Sequence, residues 1–199
     1  MSRRLLLLLP MALLGACTEA DDSRSDAALA SSADVAPSVA TVRLDPLGES
    51  SATGTVTFTE TDDGLRVEYD LTGVELGGHG FHVHENGACG RGDDGTPGGA
   101  AGGHFNPLGT PHGPREADRE GRHVGDLGNV TSERGGVTGG VAIGSFVDPL
   151  IALDGPNGIV GRSVVLHLKA DDEESQPSGD AGARIACGVI QLASPPEGV

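Results

Sequence analysis

All seven histidines of this 199-residue chain fall between His79 and His167. Imidazole binds metal ions and titrates near neutrality, so such a cluster is where chemistry is to be sought first. His82-Val83-His84 sits in a strand-like run. Side chains alternate faces along a strand, so these two imidazoles project the same way and can share one ion. A lone strand histidine is more often a hydrogen-bonded core residue, but His-x-His beside a loop bearing three more histidines points to metal.

That loop supplies His104, His112, His123 and Asp126, the last two in the spacing His123-x-x-Asp126 where the next strand begins. Three imidazoles and a carboxylate suit a closed tetrahedral zinc site. His167 lies in a further strand pattern, Ser163-Val164-Val165-Leu166-His167-Leu168-Lys169. Imidazole-rich tetragonal sites suit Cu(II), and the lack of a nearby thiolate argues against a blue-copper centre.

The elements that must hold these residues read as strands. Glycine (33 residues) and proline (12) are plentiful, Trp is absent and Tyr occurs once, so the core must rest on aliphatic strand faces. Short β-branched runs between Gly, Asp, Asn and Pro clusters predict an all-β sandwich or barrel. Eight strands are expected, at 39–44, 52–60, 65–71, 80–85, 123–131, 136–143, 162–169 and 184–192. Two long loops follow from this, one after the fourth strand and one before the eighth. The glycine-rich stretch from Asn86 to Arg122 runs about 37 residues without a strand pattern, and metal plus a disulfide would order it.

The N-terminus stands apart. Arg3 and Arg4 precede an apolar run from Leu5 to Leu14 that is too short to span a bilayer as a stable anchor and reads as a secretory signal. Leu14-Gly15-Ala16-Cys17 resembles a bacterial lipobox, which implies cleavage before Cys17 and its acylation. The expected organisation is a signal peptide over 1–16, a lipidated cysteine and disordered tether over 17–38, a domain over 39–192 and a tail over 193–199. Three cysteines leave one over in a secreted protein; if Cys17 carries lipid, Cys89 and Cys187 remain as a pair in an oxidising compartment. The net charge of -16 argues against nucleic acid as a partner and against attraction to anionic lipid, so membrane contact would come only through lipid on Cys17.

Four stretches carry a resemblance to a known family: 80–85 (Gly-Phe-His-Val-His-Glu), 103–107 (Gly-His-Phe-Asn-Pro), 122–129 (Arg-His-Val-Gly-Asp-Leu-Gly-Asn) and 182–190 (Gly-Ala-Arg-Ile-Ala-Cys-Gly-Val-Ile). In this order they resemble the motifs of copper/zinc superoxide dismutase, specifically a bacterial secreted lipoprotein form. The resemblance implies an eight-stranded antiparallel Greek-key barrel or sandwich, with the two long loops forming the metal site. It implies copper on His82, His84, His104 and His167, and zinc on His104, His112, His123 and Asp126, with His104 bridging. Asp171 matches a carboxylate linking a zinc histidine to a copper histidine, Cys89 and Cys187 match the family disulfide, and His79 matches a structural histidine without a ligand role. His104 and Arg184 match the catalytic pair, with superoxide as substrate.

Two departures stand out. The chain between Cys89 and His104 is longer than in the common animal form, and the loop from Asp171 to Arg184 is short, with Pro177 where animal forms have a guiding lysine. Steering of the anion would then be weaker, or depend on arginines such as Arg91 or Arg115. The rival reading is a secreted copper- and zinc-buffering protein on the same scaffold, which would need no Arg184. Family members are often homodimers, and localisation is expected at a membrane facing the periplasm or cell exterior.

Overall fold

The computed structural model describes residues 37–135 and 139–193. The expected signal peptide, Cys17 and nearly all of the tether lie outside the described residues, as do Gly136 and residues 194–199. Among the described residues nine strands form: β1 (Val39–Pro46), β2 (Thr53–Thr61), β3 (Gly64–Val74), β4 (Gly77–His84), β5 (Asp126–Arg134), β6 (Gly140–Asp148), β7 (Ser163–His167), β8 (Arg184–Val189) and β9 (Gln191–Leu192). The ninth is the end of the expected eighth strand. The run breaks at Ile190, whose backbone N–H turns to the Arg162 carbonyl while its own carbonyl accepts from Gly161, and Gln191–Leu192 then pairs with β1.

Eight strands close into an antiparallel barrel in the order β2-β3-β6-β5-β4-β7-β8-β1, with β1 pairing back to β2. Because β3 neighbours β6 while β4 sits between β5 and β7, the connections β3–β4 and β6–β7 cross the barrel ends in Greek-key fashion. Period-two patterning sets the inside. Leu65, Val67 and Leu71 of β3 are buried, whereas Arg66, Glu68 and Asp70 between them face water. Ala40, Val42 and Leu44 of β1 do the same, each large aliphatic contributing about 1.5–3 kcal/mol. Among the described residues no helix is long and apolar enough to cross a membrane.

The strands that carry histidines break this alternation. In β4, Phe81 and Val83 enter the core, yet His82 and His84 on the other face are buried too. All five residues of β7 are buried. Something covers the outer face of these strands, and the 85–125 and 168–183 connections do so. One covering contact is covalent: Cys89 and Cys187 are disulfide-bonded across 98 residues, a closure worth roughly 4–5 kcal/mol in the chain-entropy model.

Candidate metal centre

Strand geometry delivers the first histidines. His82 and His84 share a face of β4, and β7 runs alongside with Phe81 opposite Leu166 and His84 opposite Ser163. The register slips at Gly80/His82 on the β5 side and at Leu166/His167 on the β8 side. Such bulges re-aim side chains next to a site. His104 comes from the long loop, whose chain is stitched onto β4. Phe105 donates to the Val83 carbonyl, Gly125 to the Phe105 carbonyl, and Val83 to the Gly125 carbonyl, at 2.8–2.9 Å.

The result is two groups of ligand-type side chains. His82, His84, His104 and His167 each offer an atom within 4.8 Å of the others, and His104, His112, His123 and Asp126 do likewise. All seven residues are buried. His104 belongs to both groups, with its Nδ1 hydrogen-bonded to Asp126 Oδ1 at 2.7 Å.

Asp126 anchors the second group. Its carboxylate also lies 3.0 Å from His112 Nδ1 and 3.2 Å from His123 Nδ1 and accepts the backbone N–H of His123 and Gly113. The expected strand at 123–131 consequently starts only at Asp126, because residues 123–125 turn around this carboxylate. Asp171 links the two groups, taking His82 Nε2 at 2.7 Å on one oxygen and His112 Nε2 at 3.0 Å on the other.

These contacts set the charges. Burial opposes ionisation of Asp126, but the His104, His112 and His123 rings set against it hold it well below the usual carboxylate range. Asp171 is depressed for the same reason by His112 and His82. Burial also opposes charge on His112, but the Asp126 and Asp171 carboxylates outweigh it and raise the ring to about 9. Burial drives His104 down to about 4 against the pull of Asp126. His84 and His167, without a carboxylate, are pushed well below their ordinary value by burial first and by neighbouring imidazoles next.

Among the described residues, four ring nitrogens are buried without a hydrogen-bond partner: His82 Nδ1, His104 Nε2, His112 Nδ1 and His123 Nδ1. Each such atom costs about 1–3 kcal/mol if left unsatisfied. They fall in the two ligand groups, and His112 and His123 stand close to a carboxylate oxygen without hydrogen-bond alignment. Lone pairs set out in this way fit two metal ions. The all-imidazole group has the donors favoured by copper, and the His/Asp group those of four-coordinate zinc.

Arg184 is the register partner of His167. Its guanidinium is half-buried, donating to the Gly102 carbonyl at 2.5 Å and to the Gly98 carbonyl. Gly98 belongs to the longer 89–104 segment and has φ of 69°, and a Cβ there would stand 3.3 Å from the Arg184 Cδ. His79 lies outside both groups, its two ring nitrogens at 2.8 and 2.9 Å from the carbonyls of His167 and Glu75. Of the two arginines expected to steer, Arg115 is bound to Glu116 and stacked 4.2 Å over Phe146, and Arg91 to the Gly95 carbonyl.

Sequence reasoning missed several supports. Arg122 is fully buried, bonds both oxygens of buried Asp148 at 2.9 Å, and donates to the Asp126 carbonyl. Asn129 clamps the Asp171 backbone, accepting its N–H at 2.8 Å and donating to its carbonyl at 2.9 Å. Both residues sit in the 122–129 motif, which is the signal that could have found them. Gly179, with φ of 65°, passes so close to the Asp171–His112 contact that a Cβ would fall 2.8 Å from His112 Nε2. No sequence pattern announces it.

The family model for copper/zinc superoxide dismutase (SODC) matches residues 52–190. The chain is 47% identical over 152 residues to superoxide dismutase [Cu-Zn] A of Xenopus laevis, covering 72% of this chain and 91% of that one. It is 41% identical over 143 residues to the extracellular superoxide dismutase [Cu-Zn] of Caenorhabditis elegans, covering 69% and 60% respectively. The crystal structure of the clock protein EA4 superposes with a TM-score of 0.66 at 41% identity, covering 79% of this chain and 96% of that one.

Proposed function

The chain belongs to the copper/zinc superoxide dismutase family, and on that premise we propose how its own residues divide the dismutation of superoxide to dioxygen and hydrogen peroxide. Copper is held by His82, His84, His104 and His167, and zinc by His104, His112, His123 and Asp126. The observation that carries this division is His104, shared by both groups, with Nδ1 on Asp126 and Nε2 without a partner.

The chemistry supplied by the metals when bound is a one-electron couple from copper and, from redox-inert zinc, fixed positive charge. Two superoxide ions and two protons give one dioxygen and one hydrogen peroxide. His104 Nε2 is the atom that holds a proton for the peroxide product, while Nδ1 stays on the Asp126 side. Burial keeps the proton affinity of this ring low, which makes such a proton easy to give up. Arg184, fixed by two carbonyls beside His167, draws the anion into a partly desolvated site where attraction is strengthened. Asp171 keeps the rings of His82 and His112 in orientation.

Export completes the reading. We assign residues 1–16 to a signal peptide, acylation to Cys17, a tether to 17–38, the enzyme domain to 39–192 and a tail to 193–199. The leader pattern and lipobox support this, and the Cys89–Cys187 disulfide fits an oxidising compartment. Assembly as a homodimer is proposed from family habit alone.

The decisive experiment measures superoxide consumption by the copper- and zinc-loaded protein beside its metal-free form. The expected second-order rate approaches about 10⁸–10⁹ M⁻¹s⁻¹ and vanishes without copper. Tight binding of both metals without turnover would overturn the assignment.

A further inference from the structure

Among the seven metal-group residues, His112 has the weakest local support from the fold. It lies in a stretch without regular secondary structure, whereas His82, His84, Asp126 and His167 ride on strands and His104 is stitched to β4. Among the described residues, the hydrogen bonds to its main chain come from one side chain. Gln176 Oε1 accepts the His112 N–H at 2.8 Å, and Gln176 Nε2 donates to the His112 carbonyl at 2.9 Å. The same Nε2 also reaches the Glu174 carbonyl at 3.2 Å. Both backbone groups of one residue are thus satisfied as a neighbouring strand would satisfy them, across 64 residues of chain.

This repeats the clamp of Asn129 on the Asp171 backbone. The two clamps meet, because the Asp171 carboxylate holds His112 Nε2. His112 is therefore gripped twice by the short loop after β7, at its ring by Asp171 and at its backbone by Gln176. We propose that Gln176 is a positioning residue for the zinc half, fixing the His112 main chain so that Nδ1 stays beside His104, His123 and Asp126. The proposal rests on the reading of His112 as a zinc ligand. Gln176 reaches the loop group only through the His112 main chain, with no hydrogen bond to a ligand atom, and it is exposed, so its substitution leaves the core intact.

The test uses Gln176→Met, which keeps the length and loses both bonds, and Gln176→Glu, which keeps the acceptor and loses the donor. Each variant is loaded with copper and zinc, or with cobalt(II) as a visible probe in place of zinc. Zinc release to a chelator is expected to be roughly tenfold faster in Gln176→Met, the scale for losing an outer partner of a metal ligand, with Gln176→Glu between it and the parent. The cobalt absorption bands should shift in Gln176→Met, which a merely structural residue would not cause. The His112 amide should also exchange faster with solvent in the metal-free protein. Parent-like release, bands and exchange in Gln176→Met would overturn the proposal; should that variant fail to fold, Gln176→Glu decides by the same three readouts. His112→Ala separates the two readings. If it retains zinc like the parent, the ligand assignment fails; if it loses zinc while Gln176→Met keeps it, the positioning role alone fails.

Discussion

The strand-borne and loop-borne halves of the centre treat the same side chain in opposite ways. His82, His84 and His167 ride on β4 and β7, and His84 and His167 have no carboxylate partner, so burial keeps these two neutral. In the other half His112 stands between Asp126 and Asp171 and holds a proton up to about 9. At neutral pH His84 and His167 are uncharged, whereas a metal ion taken up by the other group would have to displace a proton from His112, which two carboxylates have charged. Strand geometry organises the first, and carboxylate charge organises the second.

The largest effect should come from removing the anion that organises the loop half. Asp126→Asn leaves His104, His112 and His123 without a common charge, and zinc affinity should fall by about 10²–10³-fold, the scale of breaking a buried charge pair. Copper affinity should fall by no more than about tenfold, read by chelator competition. An equal loss of both metals would mean that the halves are not separable.

Gly179→Ala should come next, because the new Cβ would overlap Asp171 Oδ1 and sit in a left-handed backbone. The Asp171 bridge would give way, lowering zinc affinity about 10–100-fold. Asp171 also holds His82, so the copper EPR spectrum should change in the same variant. An unaltered spectrum would show that this carboxylate orients one half only.

The smallest effect sharpens the contrast through pH. In the metal-free protein His112 binds its proton more tightly than its ordinary value of 6.5, so its contribution to stability is full below 6.5 and is lost as pH rises through about 9. His84, His167 and His104 bind theirs less tightly than when unfolded. Their contribution is full above 6.5 and is lost as pH falls, for His104 down to about 4. Urea denaturation of the metal-free protein should therefore show greatest stability near pH 6.5 with decline on both sides. A monotonic profile would contradict the opposed charging of the two halves.

Much of the barrel is legible in the residue order, because period-two alternation is local. The runs at 52–60 and 65–71 fold as β2 and β3 with ends displaced by no more than three residues. The final strand reads as one piece but folds as two, since nothing local marks the exchange of partners at Ile190. The expected start at His123 fails because a carboxylate three residues on, rather than a neighbouring strand, takes its N–H. In the long loop, residue types name the candidate ligands, but no period indicates how 85–125 folds back on β4.

The sequence by itself determined the chemical inventory: imidazoles paired by His-x-His on one strand face, an Asp three residues after His123, two cysteines beyond Cys17, and aliphatic alternation sufficient for a closed sheet. The shared place of His104 and the linking place of Asp171 are implied by the family resemblance; only the tertiary structure decided that Gln176, Gly179 and the Arg122–Asp148 pair hold the loop half in place. The physical reason is range. A strand positions side chains through bonds to its own neighbours at a fixed period, whereas a loop is positioned by charges and amides tens of residues away, and no local pattern records those partners.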